Sequence, residues 1–458
     1  MASEVLVIGG GLAGSEAAWQ AAEMGLHVTL AEMRPLTPTG AHQTDRLAEL
    51  VCSNSLGSSL PDRPSGVLLG ELRRLDSLLV RCAQQVSVPA GGALAVDRAA
   101  FSALVTEAIE RHPRIRLERR EVLEIPPGWV VCATGPLTSL ALADSLARLT
   151  GEAYLYFFDA IAPIVEASSL DMQVVYRASR FARGETLAGD YLNCPLDEGE
   201  YDAFVTALRT AERIPLRQFE QDLRHGVRAG AGTYFEGCLP LEVMAERGPK
   251  SLAFGPLRPI GLRDPRTGLR PHAVVQLRQE DREATSYNLV GFQTNLTYAE
   301  QQRVFRLIPG LGSAQFFRYG QMHRNTFVNA PAVLLPTLQL RRRPDLLLAG
   351  QLSGVEGYLG NIATGLLAGR NVARLAAGEP AWILPQETMI GALCHYVTSA
   401  SPDTFQPMKA NLGILSGLGE QAPKARRERA SLLARRAADC MERYLGEHSP
   451  SSYAHSHD

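Results

Sequence analysis

Hydrophobic positions at the start of the chain form a short continuous run over residues 4–8 that ends in Gly9-Gly10-Gly11-Leu12-Ala13-Gly14. A helical spacing over 15–24 follows, then a second apolar run over 27–31, which predicts a βαβ opening. Residues 35–66 lose this periodicity and are rich in Pro, Ser, Thr and Gly, as expected of a long functional loop. Helical spacing returns over 97–111, strands are expected at 115–117 and 122–125, and "WVVCATGPL" (129–137) reads as a buried strand running into a glycine turn.

From about 151 to 330 the texture changes. Strand-like runs at 174–176, 273–277 and 287–292 alternate with helical runs at 200–213 and 299–307 and with proline-rich turns. The first texture resumes at "DLLLAGQLSGVEGYLGNIATGLLAGRNVARLAAG" (345–378), again strand, glycine turn and helix. The pattern predicts an α/β nucleotide-binding domain, residues 1–150 and 331–445, interrupted by an inserted α+β domain over 151–330. The polar tail 446–458 has little to bury.

Composition changes this picture only at the margins. A chain of 458 residues with 45% hydrophobic content has material for two or three domains, and a formal net charge of −2 forecasts no particular partner. The opening "MASEVLVIGGG" lacks the basic region of a signal peptide, and no run of about 20 apolar residues is present to span a membrane. Seven cysteines at irregular spacing, without C-x-x-C, are neither a disulfide framework nor a zinc site; a reduced, cytoplasmic protein without a metal is expected.

The chemistry begins at Gly9, Gly11 and Gly14. G-x-G-x-x-G alone is weak evidence, but here a strand precedes it, a helix follows, Ala18 and Gly25 permit close packing, and Glu32 ends the second strand. Glycines admit a pyrophosphate, the helix N-terminus favours its charge, and the carboxylate accepts from a ribose diol. This spacing does not separate FAD from NAD. "CATGP", with Gly135, and "LLLAGQLSG", with Gly350 and Gln351, followed by "GNIATGLLAGR", with Thr364, together resemble the glutathione-reductase class of FAD-binding domains. That resemblance implies FAD, with a helix from about residue 362 aimed at the flavin.

Two cysteines sit in turn-like surroundings, Cys52 in "ELVCSNSLG" and Cys238 in "TYFEGCLPLEVMAERG". The nearest later cysteine to Cys52 is Cys82, so a local redox disulfide is disfavoured. On residue types alone, inert filler and reactive thiolate both stay open for each.

With these strings in hand, and with "LAFGPLRPIGL", "YNLVGFQTNL" and "IPGLGSAQFFRYGQMHRNTF", the chain resembles the bacterial folate- and FAD-dependent tRNA (uracil-5-)-methyltransferases over nearly its whole length. The resemblance implies transfer of a carbon from 5,10-methylenetetrahydrofolate to C5 of a T-loop uridine in tRNA, with FAD reduced by NAD(P)H and no obligate protein partner. It places Cys52 and Cys238 on the family's two cysteines, with Cys238 as nucleophile and Cys52 as base or accessory thiol. Glu242 and Glu356 are candidate supporting carboxylates, each equally readable as a structural acid, and Tyr358 is a candidate to stack on flavin or pterin. Arg258, Arg263, Arg266 and Arg270, "RRR" at 341–343 and "KARRER" at 424–429 are candidate tRNA contacts, each run also readable as a solvated face. Two rivals remain: a flavin oxidoreductase acting on a small molecule, and a wobble-uridine-modification flavoprotein that works with a GTPase.

Overall fold

The glycine-rich opening folds as a strand, β1 (Glu4–Ile8), a helix, α1 (Leu12–Glu23), and a second strand, β2 (His27–Glu32). They belong to a computed structural model that describes residues 4–151, 155–182, 189–214, 239–419 and 422–448. β1 is the hub of a six-stranded sheet ordered Gln339–Leu340, Arg343–Leu348, Val130–Cys132, β1, β2, Ile115–Arg119. All neighbours are parallel except the terminal Gln339–Leu340 pairing, which is antiparallel. Strands from both ends of the chain therefore meet in one sheet.

Small residues set how tightly this unit closes. Ala17, Ala18, Ala21 and Ala22 of α1 are fully buried. The helix Tyr358–Ala376 crosses them at Gly365 and Gly369, where an added Cβ would come within 2.2 Å of the Ala13 carbonyl and 2.4 Å of the Ala17 carbonyl. Only glycine permits that approach, and it brings the start of the second helix beside the start of the first.

A second six-stranded sheet, entirely antiparallel, runs Tyr176–Ala178, Tyr191–Leu196, Ala273–Gln279, Ser286–Leu289, Ile164–Glu166, Phe316–Arg318. It covers its own core, which includes Phe204, Phe292 and Phe305. An antiparallel ribbon, Leu155–Ala160 with Met322–Phe327, leads into and out of this unit.

Three local expectations need correction. Residues 122–125 form no strand: Ile125 N donates to Ser145 Oγ at 3.2 Å rather than to a neighbouring strand, and Pro126 and Pro127 follow at once. The loop of residues 35–66 contains the short strand Ser55–Ser58 and runs into a helix, Pro64–Arg74. The helix expected from about 362 begins at Tyr358, because Gly357 takes φ +84° and turns the chain directly into it.

Buried Glu71 on the helix Pro64–Arg74 accepts from Met389 N at 2.6 Å and Ile390 N at 2.9 Å, capping the helix Met389–Ser399. Burial outweighs these bonds and pushes its pKa from 4.5 up to about 8. The folded chain keeps this proton through a pH window in which the unfolded chain has lost it. Unfolding free energy therefore falls as pH rises from 4.5 to about 8, and the loss is complete above that. Glu71→Gln should flatten this part of a urea-midpoint-against-pH profile; an unchanged slope would contradict the assignment.

Candidate functional site

At the C-terminal end of β1 the chain turns at Gly9, whose φ is +100°. Gly14 packs so closely that an added Cβ would lie 1.7 Å from the Gly9 carbonyl oxygen, whereas a Cβ on Gly11 would meet nothing within 4 Å. One glycine is needed for packing and the other leaves open space at a helix N-terminus, the arrangement a pyrophosphate requires. Glu32, at the end of β2, accepts from Gly10 N at 2.7 Å through Oε2 and from Arg34 Nε at 2.8 Å through Oε1. Burial pushes its pKa up, but Arg34 and the backbone amides outweigh burial and hold the carboxyl below its ordinary range. Glu32 is thus an anionic acceptor fixed beside the glycine turn.

Gly9, Gly11, Glu32 and Arg34 line a cleft together with Gly135, Gly350, Gln351, Tyr358 and Asn361. The Asn361 Oδ1 atom is buried there without a hydrogen-bond partner. The glycine cradle, the acidic strand end and this waiting acceptor fit a bound dinucleotide. Thr364 does not line the cleft; its hydroxyl accepts from Gly350 N at 2.9 Å and donates to Gly360 O at 3.0 Å, bracing the Gly350 turn from behind.

A second cleft opens from the first, sharing Val51, Pro136, Gln351, Tyr358 and Asn361, and Cys52 lies in its wall. The Cys52 loop is held at several points. Cys52 N and Ser53 N donate to the Tyr358 phenol oxygen at 2.9 and 3.0 Å. Arg98 donates to the Leu50 carbonyl at 2.5 Å while its Nε bonds Glu280 at 2.9 Å. From the second sheet, buried Arg278 donates to Asn54 Oδ1 and to Ser53 Oγ, each at 2.7 Å. Asn54 in turn donates to the Gln279 carbonyl at 2.8 Å. The loop carrying the thiol is thereby stapled to both units.

Arg98 and Arg318 both interact electrostatically with Cys52. Burial pushes the Cys82 and Cys132 thiols up to about 11 and Cys394 up to about 12, and raises Cys194 and Cys440 as well. Cys238 lies outside the described residues.

The remaining candidates separate cleanly. Glu242 is buried in the second unit, accepting from Thr294 Oγ1 at 2.9 Å and Asn295 N at 2.7 Å, and burial raises its pKa; it braces a turn. Glu356 lines the second cleft and accepts from Gln351 Nε2 at 2.7 Å. Arg266 grips Asp264 at 2.7 Å, Arg263 bonds the Gly268 carbonyl, and Arg343 pairs with Asp345, so these guanidiniums have local structural partners. Sequence reasoning missed Arg98, Arg278 and Arg318. Arg318 falls within the string "IPGLGSAQFFRYGQMHRNTF", yet no residue type there singles it out, and only the pairing of distant segments brings the three arginines toward the Cys52 loop.

Tyr358 does more than offer a ring to a ligand, because its hydroxyl is the acceptor that holds the thiol loop. Tyr358→Phe strands two amides, at roughly 1–3 kcal/mol for a buried unpaired group. Alkylation of Cys52, measured in a Cys238→Ala background, should accelerate; an unchanged rate would contradict the tether.

Residues 4–380 match the GIDA family, glucose inhibited division protein A. A methylenetetrahydrofolate--tRNA-(uracil-5-)-methyltransferase TrmFO of Synechococcus sp. (strain JA-3-3Ab) is 57% identical over 423 residues, covering 92% of this chain and 91% of that protein. Its namesake in Listeria monocytogenes serotype 4b (strain F2365) is 52% identical over 447 residues, covering 98% of this chain and 100% of that protein. The chain belongs to the methylenetetrahydrofolate--tRNA-(uracil-5-)-methyltransferase family. Aquifex aeolicus GidA, in its form II crystal, shares the fold of these methyltransferases: its TM-score is 0.70 over 99% of this chain and 75% of that chain, at 17% identity. Similarity to the methyltransferase family is thus far higher in sequence, and nearly end to end. Among the described residues no helix is long and apolar enough to cross a membrane.

Proposed function

We propose that the chain methylates C5 of a T-loop uridine in tRNA, with Cys52 and Cys238 as its two reacting thiols and NAD(P)H as the source of electrons. As a member of its family it is a tRNA (uracil-5-)-methyltransferase that takes its carbon from methylenetetrahydrofolate and depends on FAD. The observation that carries the site reading is the continuity of the dinucleotide cleft with the Cys52 cleft, through shared Gln351, Tyr358 and Asn361.

Gly9 and Gly11 would hold the pyrophosphate, with Gly14 packed behind the turn; Glu32 would take the ribose hydroxyls, and Gly135, Gly350 and Gln351 would flank the remainder, with Thr364 supporting Gly350. Bound there and reduced by NAD(P)H, FAD would supply the electron pair needed to take the transferred carbon from methylene to methyl. The chain's own residues do the rest. Cys238 adds as a thiolate to uracil C6, which makes C5 nucleophilic enough to attack the methylene carbon of the folate. Cys52 removes the C5 proton. Loss of that proton breaks the methylene–nitrogen bond, so that tetrahydrofolate leaves and an exocyclic methylene remains on C5; two electrons and a proton then convert it to methyl as the Cys238 thiolate leaves C6 and C5–C6 unsaturation is restored. Residues 151–330 are the tRNA-binding insert in the FAD-binding framework of 1–150 and 331–445, and the enzyme works in the cytoplasm without an obligate protein partner.

tRNA containing 5-fluorouridine tests the roles, because fluorine at C5 cannot leave as a proton and the thiol adduct accumulates. The mapped cross-link is expected at Cys238. A cross-link at Cys52 would reverse the two roles, and trapping that survives both Cys→Ala changes would overturn covalent addition.

A further inference from the structure

A column of aromatic rings runs from the core of the second unit to its surface. Ring centroids are 5.3 Å apart for Phe292 and Phe305 and 6.3 Å for Phe305 and Phe316. From Phe316 the column continues to Tyr319 at 5.3 Å and from Tyr319 to Tyr298 at 4.8 Å. The inner contacts are edge-on or tilted, but the last two are stacked, with interplanar angles of 17° and 20°. Gln302 fixes the column by donating to the Tyr319 hydroxyl. Tyr298, the last ring, is 49% exposed although Tyr319 covers one of its faces, so the opposite face is open.

We propose that this open face is a stacking platform for an unpaired base of the tRNA. The inference rests on the tRNA-methyltransferase reading and adds a contact surface to it. Three observations favour a nucleobase as the occupant. The column ends in a ring face, held rigid by the stack beneath, which is the geometry a base plane accepts without regard to sequence. Arg306, exposed immediately after the helix Tyr298–Phe305 that begins with the last ring of the column, bonds the Ala314 carbonyl at 3.0 Å and forms no ion pair among the described residues, leaving its charge for a phosphate. Finally, the strand Phe316–Arg318 that carries part of the column also carries Arg318, whose guanidinium interacts electrostatically with Cys52. A uridine leaving its loop to reach that thiol exposes neighbouring bases that need a new stacking partner.

The test is affinity for an unmodified full-length tRNA transcript. Tyr298→Ala is expected to weaken binding on the order of tenfold, with Tyr298→Phe near wild type. In the full-length Tyr298→Trp protein, the added indole should be quenched when tRNA is bound, over and above the wild-type fluorescence change. Unchanged affinity in Tyr298→Ala together with no added quenching overturns the platform, as does a Tyr298→Ala effect confined to self-association. Wild-type methylation of the same transcript is measured alongside. If it is absent the functional reading fails, and the affinity ratio and quenching still decide the platform.

Discussion

Cys52→Ala should abolish methyl transfer to tRNA while leaving the fold and the bound flavin intact. Cys52 is partly buried in a cleft wall and does not belong to the buried hydrophobic clusters of the described residues. The backbone bonds that shape the loop, from Cys52 N and Ser53 N to Tyr358 and from Leu50 O to Arg98, do not involve the thiol. The chemical loss is large: removing a positioned proton acceptor costs about 10²–10⁴-fold, and more if this thiol also steers the attack. Single-turnover methylation with labelled folate reads the rate, and the flavin spectrum reads integrity. Activity within a few-fold of wild type would remove Cys52 from the mechanism. Cys52→Ser separates size from ionisation: serine keeps the volume but not the ready thiolate, and it should be nearly as inactive as alanine.

The second large effect distinguishes two glycines of the same motif. Gly14→Ala drives a methyl group to 1.7 Å from the Gly9 carbonyl, a clash with backbone that no rotamer relieves. The turn must shift, at about 4 kcal/mol or more, and the protein is expected to be poorly folded and flavin-free. Gly11→Ala meets no atom within 4 Å, so the apoprotein should melt within a degree or two of wild type. Its methyl group instead enters the space assigned to the pyrophosphate, and FAD affinity should fall steeply. Thermal melting of apoprotein and a flavin titration check both. A Gly11→Ala protein that binds FAD normally would mean that the pyrophosphate lies elsewhere.

Those two positions also mark what was legible beforehand. The βαβ opening could be read because its signals are local: an apolar run, three spaced glycines and an acid at the next strand end all lie within 32 residues. The return of the same texture at 345–378 was equally readable, and it does enter the same sheet, beside Val130–Cys132. Residues 122–125 misled because an apolar pair between polar neighbours looks like a strand until one asks what it pairs with. Cys52 stood out only through its surrounding string, and residue types left its role open. The groups that distinguish it, Arg98, Arg278, Arg318 and Tyr358, come from far along the chain, with Tyr358 some 306 positions from Cys52. Local periodicity holds no information about such pairings; they follow from how the two sheets dock. Glu242 shows the converse, a motif acid whose partners Thr294 and Asn295 make it a brace in the second unit.

The central claim is that this chain moves a folate carbon onto uridine C5 of tRNA. Its most direct test gives the purified protein methylenetetrahydrofolate carrying ¹³C at the transferred carbon, with FAD, NADPH and an unmodified tRNA transcript, and digests the product for nucleoside mass analysis. The expected result is one T-loop 5-methyluridine bearing the heavy carbon, lost on omission of the folate or in Cys52→Ala. Unlabelled or absent 5-methyluridine under conditions that reduce the bound flavin would contradict it.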